Sequence, residues 1–403
     1  MANFTIAALP KIVFGAGTLA QVPGEIKRFG TKALIVTGAR SFTVSGTWAA
    51  LGQRLEDEGI AFETLSVPGE PSPKMVDTAV AQHKNAGIKA VVGIGGGSAL
   101  DAAKAIAGLL GPGNTVMDHL EGVGPELPYQ GLATPFIAVP TTAGTGSEAT
   151  KNAVLSRHGP DGFKKSFRDD ALVARVAIVD PDLLATCPKS VVAANGMDAF
   201  TQLLESLTSI RSNPMTAALA WSGLERFAQG FWDMWRTAPD QPDAEGADHQ
   251  RTRDARTHMA YASLMSGICL AQTGLGSVHG LAQPLGSLFP IPHGQVCGTL
   301  VGDATAINIR ALVERRPDSD ALSVYARAGQ MLAGGVSGND ALDALVRTLK
   351  DWTERLDLPR LSAYGVTDAD VERIVAGSRG SSMLTNPVRL TDDEIAEVVK
   401  RRL

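Results

Sequence analysis

The chain is 403 residues long, carries a formal net charge of −5 and is 44% hydrophobic, which suits a globular protein with a large core and room for two domains. No basic excess or run of like charges favours a nucleic-acid partner, and no stretch of about eighteen uninterrupted apolar residues asks for a membrane. Three cysteines, Cys187, Cys269 and Cys297, stand far apart with no CxxC spacing, and the first residues lack the charged and apolar regions of a signal peptide. A reducing cytoplasm is therefore the expected setting.

Ala33 to Thr37 predicts a first strand, followed by a helix over Thr47 to Glu58. A second strand runs from Phe62 to Val67 and stops at Pro68-Gly69-Glu70-Pro71; a helix over Met75 to Ala86 then leads to a strand at Ala90 to Ile94. That strand enters Gly95-Gly96-Gly97-Ser98, and a strong helix former, beginning Ala99-Leu100-Asp101, leaves it. Strand, glycine turn and helix is the order a phosphate-binding turn requires. Glycines let backbone N–H groups approach a bulky anion, and the helix start offers unsatisfied N–H groups and a positive dipole end. Ser98 is expected at the N-cap. The cluster departs from the usual dinucleotide fingerprint, because Gly93 and Gly95 are followed by Ser98 where a third glycine belongs.

Strands at Phe136 to Pro140 and Val176 to Val179 continue the series. This alternation predicts a mostly parallel sheet with helices on its faces and ligands beyond the carboxyl ends of its strands. After Pro181 the texture turns helical, with segments over Ser190 to Thr208, Met215 to Phe231, Asp254 to Thr273, Ala304 to Val313 and several beyond Ser319. A boundary near Cys187-Pro188 divides the chain into an α/β domain over 1–187 and a helical domain over 188–403. Residues 237–250 read as a surface loop.

Three further segments carry candidate chemistry. From Thr141, ten residues hold five hydroxyls and two glycines (Thr-Thr-Ala-Gly-Thr-Gly-Ser-Glu-Ala-Thr), donors suited to diphosphate, ribose or carboxamide groups. In Asn195 to Glu205, Asp198 and Gln202 are four apart and share a helix face, which by itself also describes an ordinary wet side of an amphipathic helix. His279 and His293, two of only seven histidines, lie among glycines and prolines. Together with an upstream acid they could form a divalent metal site, imidazole and carboxylate suiting iron, zinc, nickel or cobalt.

In this order and spacing, the glycine turn, the Pro-Thr-Thr-Ala-Gly-Thr-Gly-Ser-Glu loop, Val179-Asp180-Pro181 with Gly196-Met197-Asp198, and Pro292-His293-Gly294 closely resemble the iron-dependent (group III) alcohol dehydrogenase family. The resemblance runs from Lys11-Ile12-Val13-Phe14 to Asn386-Pro387 and the helix beyond. It implies a Rossmann-like α/β N-terminal domain and an all-α C-terminal metal and substrate domain, the architecture shared with dehydroquinate synthase, with the active site between them. Gly95, Gly96, Gly97 and Ser98 would hold the diphosphate of NAD(P)(H), while Thr141, Thr142, Thr145 and Lys164 would line the cofactor. Asp198, His279 and His293 match three of four metal ligands, and the two histidines would be catalytic.

Two positions depart from that pattern. Gln202 stands where most members have the fourth ligand, a histidine, and Gln283 where many have another. The expected function is NAD(P)-dependent interconversion of an alcohol and an aldehyde or ketone. The mechanism uses a divalent metal (iron or zinc) through Asp198, Gln202, His279 and His293; the alternative is a metal-independent oxo-acid reductase resembling maleylacetate reductases. A lyase resembling dehydroquinate synthase fits less well, because the threonine loop matches the dehydrogenases. Gly38-Ala39-Arg40-Ser41 follows the first strand with no acid to repel a 2′-phosphate, so NADP(H) is the expected preference, with Gly38 and Arg40 at its ribose. Family habit implies a homodimer, with a strand near Thr5 to Phe14 pairing across subunits.

Overall fold

The computed structural model describes residues 3–112, 114–157, 162–240 and 249–403. Among the described residues eight strands are formed: β1 Lys11–Phe14, β2 Lys32–Gly38, β3 Ala61–Val67, β4 Ala90–Gly95, β5 Phe136–Pro140, β6 Asn152–Arg157, β7 Phe163–Arg168 and β8 Val176–Val179. Interleaved with them are α1 Val22–Lys27, α2 Gly46–Asp57, α3 Pro73–His83 and α4 Gly97–Leu109. The remainder is helical: α5 Lys189–Thr208, α6 Pro214–Arg236, α7 His249–Thr273, α8 Ser277–Leu288, α9 His293–Arg315, α10 Asp320–Ala333, α11 Gly338–Arg355, α12 Val371–Gly377 and α13 Asp392–Lys400.

Six strands make one parallel sheet in the order β1-β8-β5-β4-β2-β3. Its central strands read as unbroken apolar runs because both faces are covered. Alternate residues feed two separate cores. Leu34, Val36, Val91, Phe136 and Ala138 pack with Val76 and Val80 of α3 and Leu100 and Ile106 of α4. Ala33, Ile35, Val92, Ile94, Ile137 and Val139 turn the other way, onto Val22 and Ile26 of α1 and Leu51 and Leu55 of α2. The helical part has its own core, with an aromatic centre where Phe227 stacks on Phe231 at 4.6 Å and Phe200 and Trp352 close round them. Among the described residues one helix, α9, is long and apolar enough to cross a membrane. Its apolar window is 78% buried inside the protein, as a core helix is.

Several sequence expectations are corrected. Of the strand expected near Thr5 to Phe14, only Lys11–Phe14 forms one, pairing in parallel with β8; residues 3–10 form none, and Ala7 N–H donates to Gln272 Oε1 at 2.7 Å. The N-cap of α4 is Gly96, not Ser98, which lies in the first turn. The antiparallel hairpin β6–β7 was not anticipated. The helix expected at Ala304 begins at His293, and the glycine- and proline-bearing stretch around His279 forms a helix, α8, with Pro284 inside it. Of the loop expected at 237–250, residues 241–248 lie outside the described residues.

One buried cation ties the sheet to the loop after β5. Lys104 of α4 is fully buried, and its Nζ donates to Ser147 O (2.8 Å), Ser147 Oγ (3.0 Å), Thr150 Oγ1 (3.0 Å) and Asn152 O (2.9 Å). Asp101, one turn earlier and 3.7 Å from that ammonium, accepts from Ser147 Oγ and from Val154 N–H. Burial lowers the Lys104 pKa and raises that of Asp101, each shift opposed by the partner's charge. Lys104→Met leaves Asp101 without its counter-charge and is expected to cost about 3–5 kcal/mol, read by equilibrium urea denaturation. A loss below about 1 kcal/mol would show that the ammonium does not organise this region.

Candidate active site

The carboxyl ends of β2, β4 and β5 bring the glycine turn and the threonine loop together. Thr141 N–H donates to Gly95 O at 3.0 Å. An added Cβ on Gly96 would stand 3.2 Å from Thr142 Oγ1, and on Gly97 2.8 Å from Thr145 Oγ1. At Gly97 any larger residue would have to displace Thr145, and at Gly96 it would crowd Thr142. The first backbone bonds of α4 run from Ala99 and Leu100 to Gly96 O, so the N–H groups of Gly97 and Ser98 precede the helical ladder. Gly96, Gly97, Ser98, Thr141, Thr142 and Thr145 are all half-buried, at the open edge of the sheet. Gly38 ends β2 beside Gly95 with nothing within 4 Å of an added Cβ, and Arg40 is exposed two residues on.

The same loop reaches the helical part. A Cβ on Gly144 would stand 2.6 Å from Asn195 Cβ of α5, and Gly146, at φ 61°, lies against Gly267 of α7. Asp198 follows Asn195 on α5. Its carboxyl, with Nε2 of His279 on α8, His293 at the start of α9 and Cys297 one turn further, forms a cluster whose donor atoms all lie within 4.8 Å of one another. His279 Nε2 is 3.2 Å and His293 Nε2 3.7 Å from Asp198 Oδ1, and Cys297 Sγ is 3.6 and 3.8 Å from the same two nitrogens. Asp198 Oδ2 is buried with no hydrogen-bond partner.

Glu205, two turns along α5 from Asp198, holds His279 from behind. Its Oε2 lies 2.7 Å from His279 Nδ1, and its Oε1 accepts the Val278 N–H at 2.7 Å. Asn386 accepts the Ser277 N–H and bonds Asn308, so the C-terminal Asn-Pro motif fixes the start of α8. Burial opposes a charge on His279, but Cys297, Asp198 and Glu205 together raise its pKa well above the ordinary value. Burial takes His293 the other way, down to about 4 against the pull of Asp198, with Lys164 and His279 adding to the fall. Its ring still keeps 31% of its surface open. Burial would raise Asp198, yet the two histidines hold it below the ordinary value. Burial pushes the Cys297 thiol up to about 12, opposed by His279.

Asp198, His279 and His293 thus converge as the sequence suggested. Gln202 lies one turn after Asp198, and its Oε1 accepts the Ser266 hydroxyl at 2.7 Å. Gln283 points toward Gly380. Lys164 pairs with Glu70 and lies beside Gly286 of α8, close enough to act on His293. Sequence reasoning missed Cys297 and Glu205. Both carried a signal: His293 and Cys297 are i, i+4, and Glu205 extends the Asp198–Gln202 face to i+7.

Comparison with known proteins agrees over almost the whole chain. A sequence model described as iron-containing alcohol dehydrogenase matches residues 10–181, and one for the C-terminal part of that family matches 192–403. The chain is 30% identical to alcohol dehydrogenase 4 of Saccharomyces cerevisiae (strain YJM789), covering 100% of this chain and 99% of the relative. It is also 30% identical to the NAD-dependent methanol dehydrogenase of Bacillus methanolicus, covering 100% of both. Among solved structures, an archaeal halo-thermophilic alcohol dehydrogenase from a Red Sea brine pool superposes with a TM-score of 0.87 at 27% identity, over 100% of this chain and 99% of that one.

Glu205→Gln keeps the shape behind His279 and removes the charge. In metal-free protein the His279 pKa is expected to fall, read from ring NMR shifts across a pH titration. An unchanged value would show that Glu205 is not the group that holds the ring.

Proposed function

The chain belongs to the iron-containing alcohol dehydrogenase family, and on that footing we propose how its residues carry NAD(P)-linked interconversion of an alcohol and an aldehyde or ketone. The supporting observation is the convergence of His279 and His293 on Asp198 Oδ1, while Asp198 Oδ2 is buried with no partner. These donors fit a divalent cation: two imidazole nitrogens and a carboxylate suit iron or zinc, and the orphaned Oδ2 is the kind of buried atom that a cation satisfies. When bound, the ion supplies Lewis acidity toward a carbonyl or alkoxide oxygen.

The chain's own groups prepare that site. Glu205 accepts from His279 Nδ1 and so aims Nε2 at Asp198. His293, kept neutral, offers a free nitrogen. Gln202 occupies the remaining ligand position of the family pattern. The N–H groups of Gly97 and Ser98 and the hydroxyls of Thr141, Thr142 and Thr145 hold the cofactor, with Lys164 at its edge. Residues 1–187 act as the nucleotide domain and 188–403 as the metal and substrate domain. The absence of an acid after β2 and the exposed Arg40 support NADP(H) as the preferred cofactor. A homodimer and a cytoplasmic location complete the reading, the second supported by three buried free thiols.

One observation favours a second reading. With its pKa well above the ordinary value, a metal-free His279 is an imidazolium able to donate to a developing oxyanion, as a metal-independent oxo-acid reductase would need.

Metal analysis of protein purified without chelator, with NADPH-linked aldehyde reduction measured before and after chelation, separates the two. Near-stoichiometric metal, loss of activity on chelation and recovery with iron(II) or zinc(II) are expected. Undiminished activity in metal-free protein would transfer the chemistry to His279 and His293 as hydrogen-bond donors. Gly38→Asp has room for its side chain and is expected to raise the KM for NADPH roughly tenfold, about 1.4 kcal/mol, while sparing NADH. An unchanged KM for NADPH would remove Gly38 and Arg40 from the 2′-phosphate site.

A further inference from the structure

The fourth donor position of the metal cluster can be assigned from the packing of α5 against α9. His293 and Cys297 are one turn apart on α9 and share a face. That face is held hard against α5 by two glycines beside them. A Cβ on Gly294 would stand 2.4 Å from Ala194 O, and on Gly298 2.9 Å from Met197 Cβ. The close approach carries Cys297 Sγ to 3.6 and 3.8 Å from the ring nitrogens of His279 and His293. The other two thiols are used differently: Cys187 Sγ donates to Thr141 O and Cys269 Sγ to Thr216 O.

We infer that Cys297, as a thiolate, is the fourth ligand of this site, and that Gln202 is not a ligand. The inference rests on the metal-dependent reading above. In a tetrahedral zinc site, ligand bonds of about 2.3 Å to sulfur and 2.0–2.1 Å to nitrogen or oxygen set sulfur–nitrogen edges of about 3.6 Å and nitrogen–oxygen edges of about 3.4 Å. The sulfur–nitrogen separations here are 3.6 and 3.8 Å, and the nitrogen–oxygen separations 3.2 and 3.7 Å. Four of the six donor separations are therefore close to those of a single ion's shell, and the remaining pairs lie within 4.8 Å. Cys297 and Asp198 are fully or nearly fully buried, and Asp198 Oδ2 still lacks a partner.

Gln202 has other work. Its Oε1 accepts from Ser266 Oγ, which also lies 3.5 Å from Gly144 O in the threonine loop. On binding, the sulfur–metal bond forms as the thiol proton leaves to solvent, with no change of oxidation state. A thiolate among two imidazoles and a carboxylate softens the site and shifts its preference from iron(II) toward zinc(II) and cobalt(II).

The test is titration of metal-stripped full-length protein with cobalt(II), followed by absorbance. Wild type is expected to give visible bands of a four-coordinate ion together with a near-ultraviolet thiolate-to-cobalt charge-transfer band. Cys297→Ser loses the charge-transfer band, whereas Gln202→Ala and Cys269→Ser keep it. Cobalt bound without that band in wild type, or a band that survives Cys297→Ser, would overturn the assignment of sulfur and leave the metal-dependent reading standing. No cobalt uptake at all would overturn both. Should Cys297→Ser fail to fold, X-ray absorption of the zinc-loaded wild type decides. One sulfur at about 2.3 Å supports the assignment, and a shell of nitrogen and oxygen alone refutes it.

Discussion

The loop from Thr141 to Glu148 is gripped between surfaces that lack side chains, and the relation of the cofactor turn to the donor cluster depends on that grip. On the sheet side Gly96 and Gly97 leave room only for Thr142 and Thr145; on the helical side Gly144 meets Asn195 and Gly146 meets Gly267. At Gly267 an added Cβ would stand 2.3 Å from Gly146 O, so even alanine would force the backbones apart. Lys104 and Asp101 fix the far end of the same loop through Ser147. Hydride transfer needs its reacting atoms about 3–3.5 Å apart. A loop clamped at both faces is a physical means of holding the glycine turn and the donor cluster at such a spacing.

Polar burial on the helical side follows a different logic. Glu205, His279 and Asp198 form a chain of acid, imidazole and acid, with distances of 2.7 and 3.2 Å, in a region that is nearly dry. Buried charges are tolerated when paired, and the ring pairs with a carboxyl at each end. Two carboxyl groups against one imidazolium still leave an excess of negative charge beside the unpartnered Asp198 Oδ2. A divalent cation would offset that excess. The two histidines diverge for different reasons: the inner ring, between two carboxyls, takes up a proton readily, whereas burial, with Lys164 and His279 adding to it, keeps the outer ring from doing so.

The legible parts of the fold were those whose signals are local. β2, β4 and β5 announced themselves by continuous apolar runs, because burial on both faces leaves no polar alternation to confuse them with loops. Asp198, His279 and His293 could be picked out because few other residue types serve as ligands. Helix α8 was hidden by its own composition: Gly280, Gly286 and Pro284 read as breakers, yet Gly280 is there for close contact with Met383 and Pro284 packs on Gly377. The helix start at His293 was hidden in the same way by Pro292 and Gly294. With the helix expected to start only at Ala304, His293 and Cys297 had no shared face, and the thiol remained an isolated buried cysteine. Hairpin β6–β7 alternates with period two, but its register is fixed only by pairing, which no single segment reveals.

Asp198 and Gln202 on α5, and His293 and Cys297 on α9, form two i, i+4 pairs on helices packed closely at Gly294 and Gly298. A donor to that cluster can come from either helix without altering the fold, since residues four apart share a helix face. The glutamine that replaces a histidine of the family pattern is then not a loss. It frees one position on α5 to accept the Ser266 hydroxyl at 2.7 Å, while α9 supplies the sulfur. The exchange has a chemical consequence that a histidine-for-glutamine comparison alone conceals: the site changes from one fewer imidazole to one added thiolate, and its metal preference changes with it.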